Sequence, residues 1–373
     1  MPLSNTTTAR TGESVIGLDL LRGLAAFEVF LGHVRGSSFV EYGALPPHQR
    51  TLLVAVIFGI TRVGHEAVMV FFVLSGYLVF GKVLTRSIQG QFSLTQYIVE
   101  RTTRILLPLV PACLFTDLLN HAVFGLPWNL VGLIGNMVGL NGVFVNTLPN
   151  NAPLWTLAYE IWFYIIGGAL GFLSASKSRC TNALVVVAVG IALFTVLDAR
   201  YLLFWMLAAS AIWLLNTPYR AVMATAGFSL AVCGVCLYEL SSGSKSFTSI
   251  ILVPPATAEF FICLGTIMVL PFLSTTKTNE LLRVVARPVK VLSSISFSLY
   301  LFHYPVNACL DKWFPKARSI DGRALAFFSF RIMICLVVVA VFYTLFERNT
   351  ARVRHYIQSR IIFNEARFTT VLK

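Results

Sequence analysis

Arg22 and His33 stand eleven residues apart in one apolar stretch, GLDLLRGLAAFEVFLGH. On an α-helix that spacing is three turns plus about 20°, so the two side chains share a face and lie about 16 Å apart along the axis. An imidazole at membrane depth can serve as a general base, with an ordinary pKa of about 6.5. A guanidinium on the same face can hold an anion. Asp19, three residues before Arg22, is spaced to pair with it. The plain alternative is a snorkelling Arg and a His satisfied by packing.

Three further groups carry chemistry. Arg101 and Arg104 (RTTR) are spaced i, i+3 on one helix face and suit a phosphate. A positive-inside anchor would have the same appearance. Glu160 lies about two turns into NNAPLWTLAYEIWFY, an otherwise apolar segment opened by Pro153. Around it Trp155, Tyr159, Trp162 and Tyr164 read as an interfacial belt, near the outer surface. Ser296, Tyr300 and His303 follow i, i+4, i+7 in SSISFSLYLFHYPV and form one polar stripe, which also suits inter-helix hydrogen bonding. Glu28, Glu66, Asp117, Glu239, Glu259 and Arg331 are expected in structural ion pairs. No His/Cys/Asp cluster has ligand spacing, so no metal is expected.

The elements that position these groups follow from composition. Of 373 residues 57% are apolar and 12% charged, and mean hydropathy is +0.77. Soluble domains carry about 25% charged residues. Long continuous apolar runs such as LVVVAVGIALFTVL favour helices over a transmembrane barrel, whose segments alternate. The fold class is therefore an all-α polytopic membrane protein with about ten spanning helices. They fall roughly at 15–34, 65–81, 105–123, 154–173, 182–198, 200–216, 221–241, 249–272, 291–310 and 325–346. Residues 51–62 are apolar but short. The stretch 127–148, rich in Gly and Asn, could span or lie re-entrant.

Net charge is +13, yet the basic residues sit between apolar runs, which argues against nucleic acid. With ten helices and both termini cytoplasmic, roughly twice as many basic residues face the cytoplasm as the other side, as the positive-inside rule requires. The expected organisation is a tail at 1–14, a membrane domain at 15–346 and a basic cytoplasmic tail at 347–373. The seven cysteines lie mostly in apolar runs, and the CxxC of Cys233 and Cys236 falls inside a helix candidate, so no disulfide framework is expected. The first apolar stretch carries charges and reads as a retained helix rather than a signal peptide.

In order along the chain, these segments resemble the integral-membrane acyltransferase family 3, which includes bacterial O-antigen, exopolysaccharide and nodulation-factor O-acylases. The carriers are GLDLLRGLAAFEVFLGH, VMVFFVLSGYL with its Leu-Ser-Gly and Ser75, RTTRILLP, PLWTLAYEIWFY, SISFSLYLFHYPV and FERNTARVR. Met69 stands where the family often has an acidic residue, and Glu28 is atypical. The resemblance implies a bacterial inner-membrane enzyme without an appended soluble domain. Such an enzyme moves an acyl group, most often acetyl, from cytoplasmic acyl-coenzyme A to a hydroxyl of a glycan or glycoside.

It further implies a donor site at Arg101 and Arg104, extended inward by Arg22. His33 would be the base, with Glu160 orienting it or acting itself. Asp19, Ser75, Ser296, Tyr300 and His303 would support, Tyr300 and His303 as oxyanion donors or in the acceptor site. Acyl-coenzyme A, the acceptor and the bilayer are the expected partners; oligomeric state is not legible. The contrasting class is a proton-coupled transporter or exporter, which the buried His, Glu and Arg would also suit. Many such folds show duplicated halves, and none is visible here.

Overall fold

A computed structural model describes residues 15–175, 181–241, 253–275 and 280–371. The expected N-terminal tail, the start of the 249–272 candidate and part of the loop after it lie outside the described residues. The described residues are almost wholly helical, with no strand beyond two isolated bridges.

The first helix, α1 (Ile16–Ser38), carries Asp19, Arg22, Glu28 and Arg35 along an otherwise apolar length. A short helix α2 (Leu52–Ile60) turns into α3 (Gly64–Ser75), a π-helical turn (Gly76–Phe80) and α4 (Gly81–Ile88). The weak apolar stretch at 51–62 thus belongs to one 37-residue run, Leu52–Ile88, rather than standing alone. Next comes α5 (Leu94–Phe124), which starts where Ser93 accepts from Gln96 N and ends at left-handed Gly125, with Pro108 and Pro111 inside it. Neighbouring helices make such prolines tolerable in a membrane helix.

The segment read as spanning or re-entrant holds only α6 (Leu130–Met137), eight residues or about 12 Å, against a bilayer core of about 30 Å. Its asparagines satisfy the irregular backbone instead. Asn136 Nδ2 donates to Gly132 O at 2.8 Å and Asn146 O at 2.9 Å, and Leu148 N donates to Asn136 Oδ1 at 3.2 Å.

The chain continues through α7 (Trp155–Ala175), α8 (Thr181–Leu193), α9 (Ala199–Ala208), α10 (Arg220–Ser241) and α11 (Pro255–Leu273). It closes with α12 (Ala286–Asp311), α13 (Gly322–Leu345) and α14 (Thr350–Val371). Each of the ten expected segments is met by a helix. Among the described residues, seven runs are long and apolar enough to cross a membrane. The other three fall short for identifiable reasons. The α8 helix has 13 residues, α9 has ten before a 3-10 turn, and α1 carries four charges. Residues 350–371, expected as a tail, form a helix lying against α5.

The core that positions the site is α1 packed along α12 and α3. On the other side of α3, Gly76 meets α9 so closely that a Cβ there would run into the Trp205 carbonyl. Ala26, Val29, Phe30, Met69, Val73, Leu299 and Phe302 are buried between these elements.

Candidate functional site

Two cavities meet inside this core. The larger, about 550 Å³, is lined by six cations: Arg22 from α1, Lys82 from α4, Arg101 and Arg104 from α5, Arg348, and Arg354 from α14. Glu100, Glu160 and Glu347 also line it. The smaller, about 270 Å³, is lined by His33 and Arg35 of α1 with Arg62, His65 and Trp155. Val68 and Tyr300 line both and so form the partition between them. Arg22 and His33 thus open into different cavities from one helix.

In the larger cavity Asp19 pairs with Arg22 at 3.4 Å and accepts from Ser293 Oγ at 2.9 Å. Arg101 lies 3.6 Å from Glu100 and over the Tyr164 ring at 5.5 Å. Arg104 lies 3.9 Å from Glu347 and over Phe297 at 5.7 Å. Glu347 is itself held by Ser298, whose N and Oγ donate to Oε2 at 2.9 and 2.6 Å. Glu160 accepts from the Tyr164 hydroxyl at 2.5 Å. Ser296 lines this cavity and donates to Ser293 O at 2.7 Å.

At the partition the Tyr300 hydroxyl donates to Pro153 O at 3.1 Å and lies 2.8 Å from Thr156 Oγ1. Beyond it, the His33 ring is 4.9 Å from Tyr304 and 5.3 Å from His303, centroid to centroid. His303 is fully buried. Its Nδ1 lies 2.7 Å from Leu299 O, and a carbonyl only accepts, so a neutral His303 carries its proton on Nδ1. Its Nε2 is then a bare acceptor, without a partner in the structure.

Three expectations change. Glu160 lies in the cation-lined cavity with Arg22, Arg101 and Arg104, not in the one that holds His33. A neutral His303 has no free hydrogen for an oxyanion, because Nδ1 is committed to the backbone. The aromatics of 155–164 are not an interfacial belt: Tyr159 and Tyr164 are buried, and Trp162 Nε1 donates to Gly139 O at 2.9 Å. A belt and a packed aromatic face share a composition, and tertiary contact alone separates them.

The structure also gathers residues that spacing did not single out. Lys82 follows a π-helical turn, which breaks the α-helical register from Ser75. Arg348 and Arg354 sat in a segment whose charge the positive-inside rule already explained. Of the charged residues expected in ion pairs, Glu239 lies 2.9 Å from Arg62, Glu259 lies 2.9 Å from His65 and 2.8 Å from Arg200, and Arg331 lies 2.6 Å from Asp311.

A family model described as an acyltransferase domain matches residues 15–347. The chain belongs to acyltransferase family 3. No curated protein and no solved structure matches it. The match runs from the start of α1 to Glu347, so it takes in the smaller cavity of this membrane acyltransferase and all of the larger one's lining but that after Glu347, Arg348 and Arg354 included.

Proposed function

We propose that this acyltransferase moves an acyl group, acetyl foremost, from cytoplasmic acyl-coenzyme A to a hydroxyl of a glycan or glycoside met on the other side of a bacterial inner membrane. The observation that carries the proposal is the pair of cavities, one rich in cations and one holding His33, separated by Tyr300 and Val68. The donor's phosphates suit Arg101, Arg104, Lys82 and Arg354, since guanidinium–phosphate bonds are charge-assisted. Its thioester extends past Arg22 towards the partition.

From the smaller cavity, His33 takes the proton of the acceptor hydroxyl. The freed oxygen attacks the thioester carbonyl, a new C–O bond forms, and the C–S bond breaks. Coenzyme A leaves as its thiolate and regains a proton, so His33 returns to its neutral form once its proton is passed on. Glu160 acts here as an orienting carboxylate for the arginines.

Binding of coenzyme A and acetyl-coenzyme A to detergent-purified protein tests the donor half, with Arg101→Ala/Arg104→Ala as the control. Saturable binding that the double variant loses supports it. Absence of binding by folded wild-type protein overturns it.

A further inference from the structure

A hydrogen-bond chain with a chemically set direction ends on Glu160. An indole N–H donates and has no lone pair to accept with, so the first link runs one way. Trp205 Nε1 donates to Ser75 Oγ at 3.1 Å. The Ser75 hydroxyl hydrogen then goes to Tyr164 Oη at 3.4 Å, and Tyr164 donates its own to Glu160 Oε1 at 2.5 Å. Tyr164 has one hydroxyl hydrogen and a carboxylate only accepts, so that hydrogen goes to Oε1 and Ser75 is the donor in the middle bond; the indole fixes the first link and Glu160 the other two.

The surroundings hold both ends still. Trp205 is fully buried and stacks on Phe80 at 4.9 Å and on Phe163 at 5.2 Å. Its helix reaches Ser75 because the next residue is Gly76, where any side chain would meet the Trp205 carbonyl. The π-helical turn begins there too, a feature frequent at functional sites. At the other end Tyr97 donates its hydroxyl to Tyr164 O at 2.9 Å, and the Arg101 guanidinium lies over the Tyr164 ring at 5.5 Å. Tyr164 therefore touches Glu160 through its hydroxyl and Arg101 through its ring.

We propose that Trp205, Ser75 and Tyr164 are positioning residues of the donor cavity. The chain engages Oε1 of Glu160 and so fixes its carboxylate in the cavity that Arg22, Arg101 and Arg104 also line, which sets the field those cations present to the donor's phosphates. This rests on the donor reading above. It assigns the Ser-Gly pair a purpose, since Ser75 relays the bond and Gly76 admits the tryptophan that starts it.

A double-mutant cycle on coenzyme A affinity tests it. Tyr164→Phe keeps the ring beneath Arg101 and removes the last donor. It should weaken binding about 5–10-fold, the size of one ordinary hydrogen bond lost, with kcat changed less than about twofold. Adding Tyr164→Phe to Glu160→Gln should change affinity by less than about twofold. Equal losses in both backgrounds, or no loss in either, overturn the proposal.

Ser75→Ala breaks the chain one link earlier and should match Tyr164→Phe in direction; it serves where Trp205→Phe fails to fold. The melting temperatures of Ser75→Ala, Glu160→Gln and their double variant read the chain without any donor. Non-additive melting shifts with no coenzyme A binding by wild-type protein would overturn the donor role and leave the chain. Additive melting shifts with normal binding would remove the chain and leave the donor reading.

Discussion

The two cavities hold their charges differently. In the larger one the ion pairs are loose, at 3.4, 3.6 and 3.9 Å for Arg22, Arg101 and Arg104, and carboxylates are outnumbered by cations. Around the smaller one Arg62 and His65 are each paired at 2.9 Å, with Glu239 and Glu259. A guanidinium in a long contact keeps N–H donors for an incoming anion, whereas a short, well-formed pair has already committed them. One cavity therefore keeps cationic donors open, as the proposed donor site requires. The other uses its charges to hold helices together around His33, with Arg35 the looser exception at 3.7 Å from Glu41.

The largest break in this contrast is His33→Ala. Transfer should fall on the order of 1,000-fold, the range of a lost general base, while coenzyme A affinity stays within about twofold. Steady-state rates beside equilibrium binding read both, and a parallel loss of affinity would merge the two cavities into one site. Next, Arg101→Ala/Arg104→Ala should weaken coenzyme A binding on the order of 100-fold, since two charge-assisted contacts go together. Retained affinity would move the donor elsewhere.

Smaller effects test the scaffold on each side. Gly76→Ala should destabilise by about 1–3 kcal/mol, as overpacking does, because its Cβ meets the Trp205 backbone. Gly32→Ala should cost a similar amount beside the His33 cavity, where the Cβ would lie 2.9 Å from Thr61 O. Gly36, whose Cβ would meet nothing within 4 Å, is the control and should gain up to about 1 kcal/mol as Ala. Thermal unfolding in detergent separates the three. The smallest effect is Tyr300→Phe, which removes the hydroxyl bond to Pro153 O and should lower kcat by a few-fold, about 1 kcal/mol, without moving donor affinity. A change in donor affinity instead would mean that the partition belongs to the donor site.

Much of this was legible from residue types. Arg22 and His33 are on one stripe because helical period alone requires it, and the Asp19 pair follows from i, i+3 spacing. The arginine pair of RTTR enters one cavity for the same reason. Glu160 shows where period runs out. Its helix was readable, but the partner it faces depends on how α7 packs against α3, α5 and α9, and that packing set it beside arginines rather than His33. Trp205 carried no signal at all: it is an aromatic in an apolar run, and only the close approach at Gly76 turns it into a donor for Ser75. The asparagines of the segment after α5 were ambiguous because polar side chains suit a re-entrant loop and a buried knot equally.

By itself the sequence determined that this chain lies in a membrane as helices, which side chains share a helix face, and to which family the ordered motifs point. Hydropathy and the 3.6-residue period are local properties, and a local reading suffices for them. The tertiary structure alone decided that the cationic cavity and the His33 cavity adjoin, that Tyr300 stands between them, and that Glu160 lines the cationic one. Those facts depend on contacts between helices far apart in sequence, where the depth and rotation of each helix are set by its neighbours.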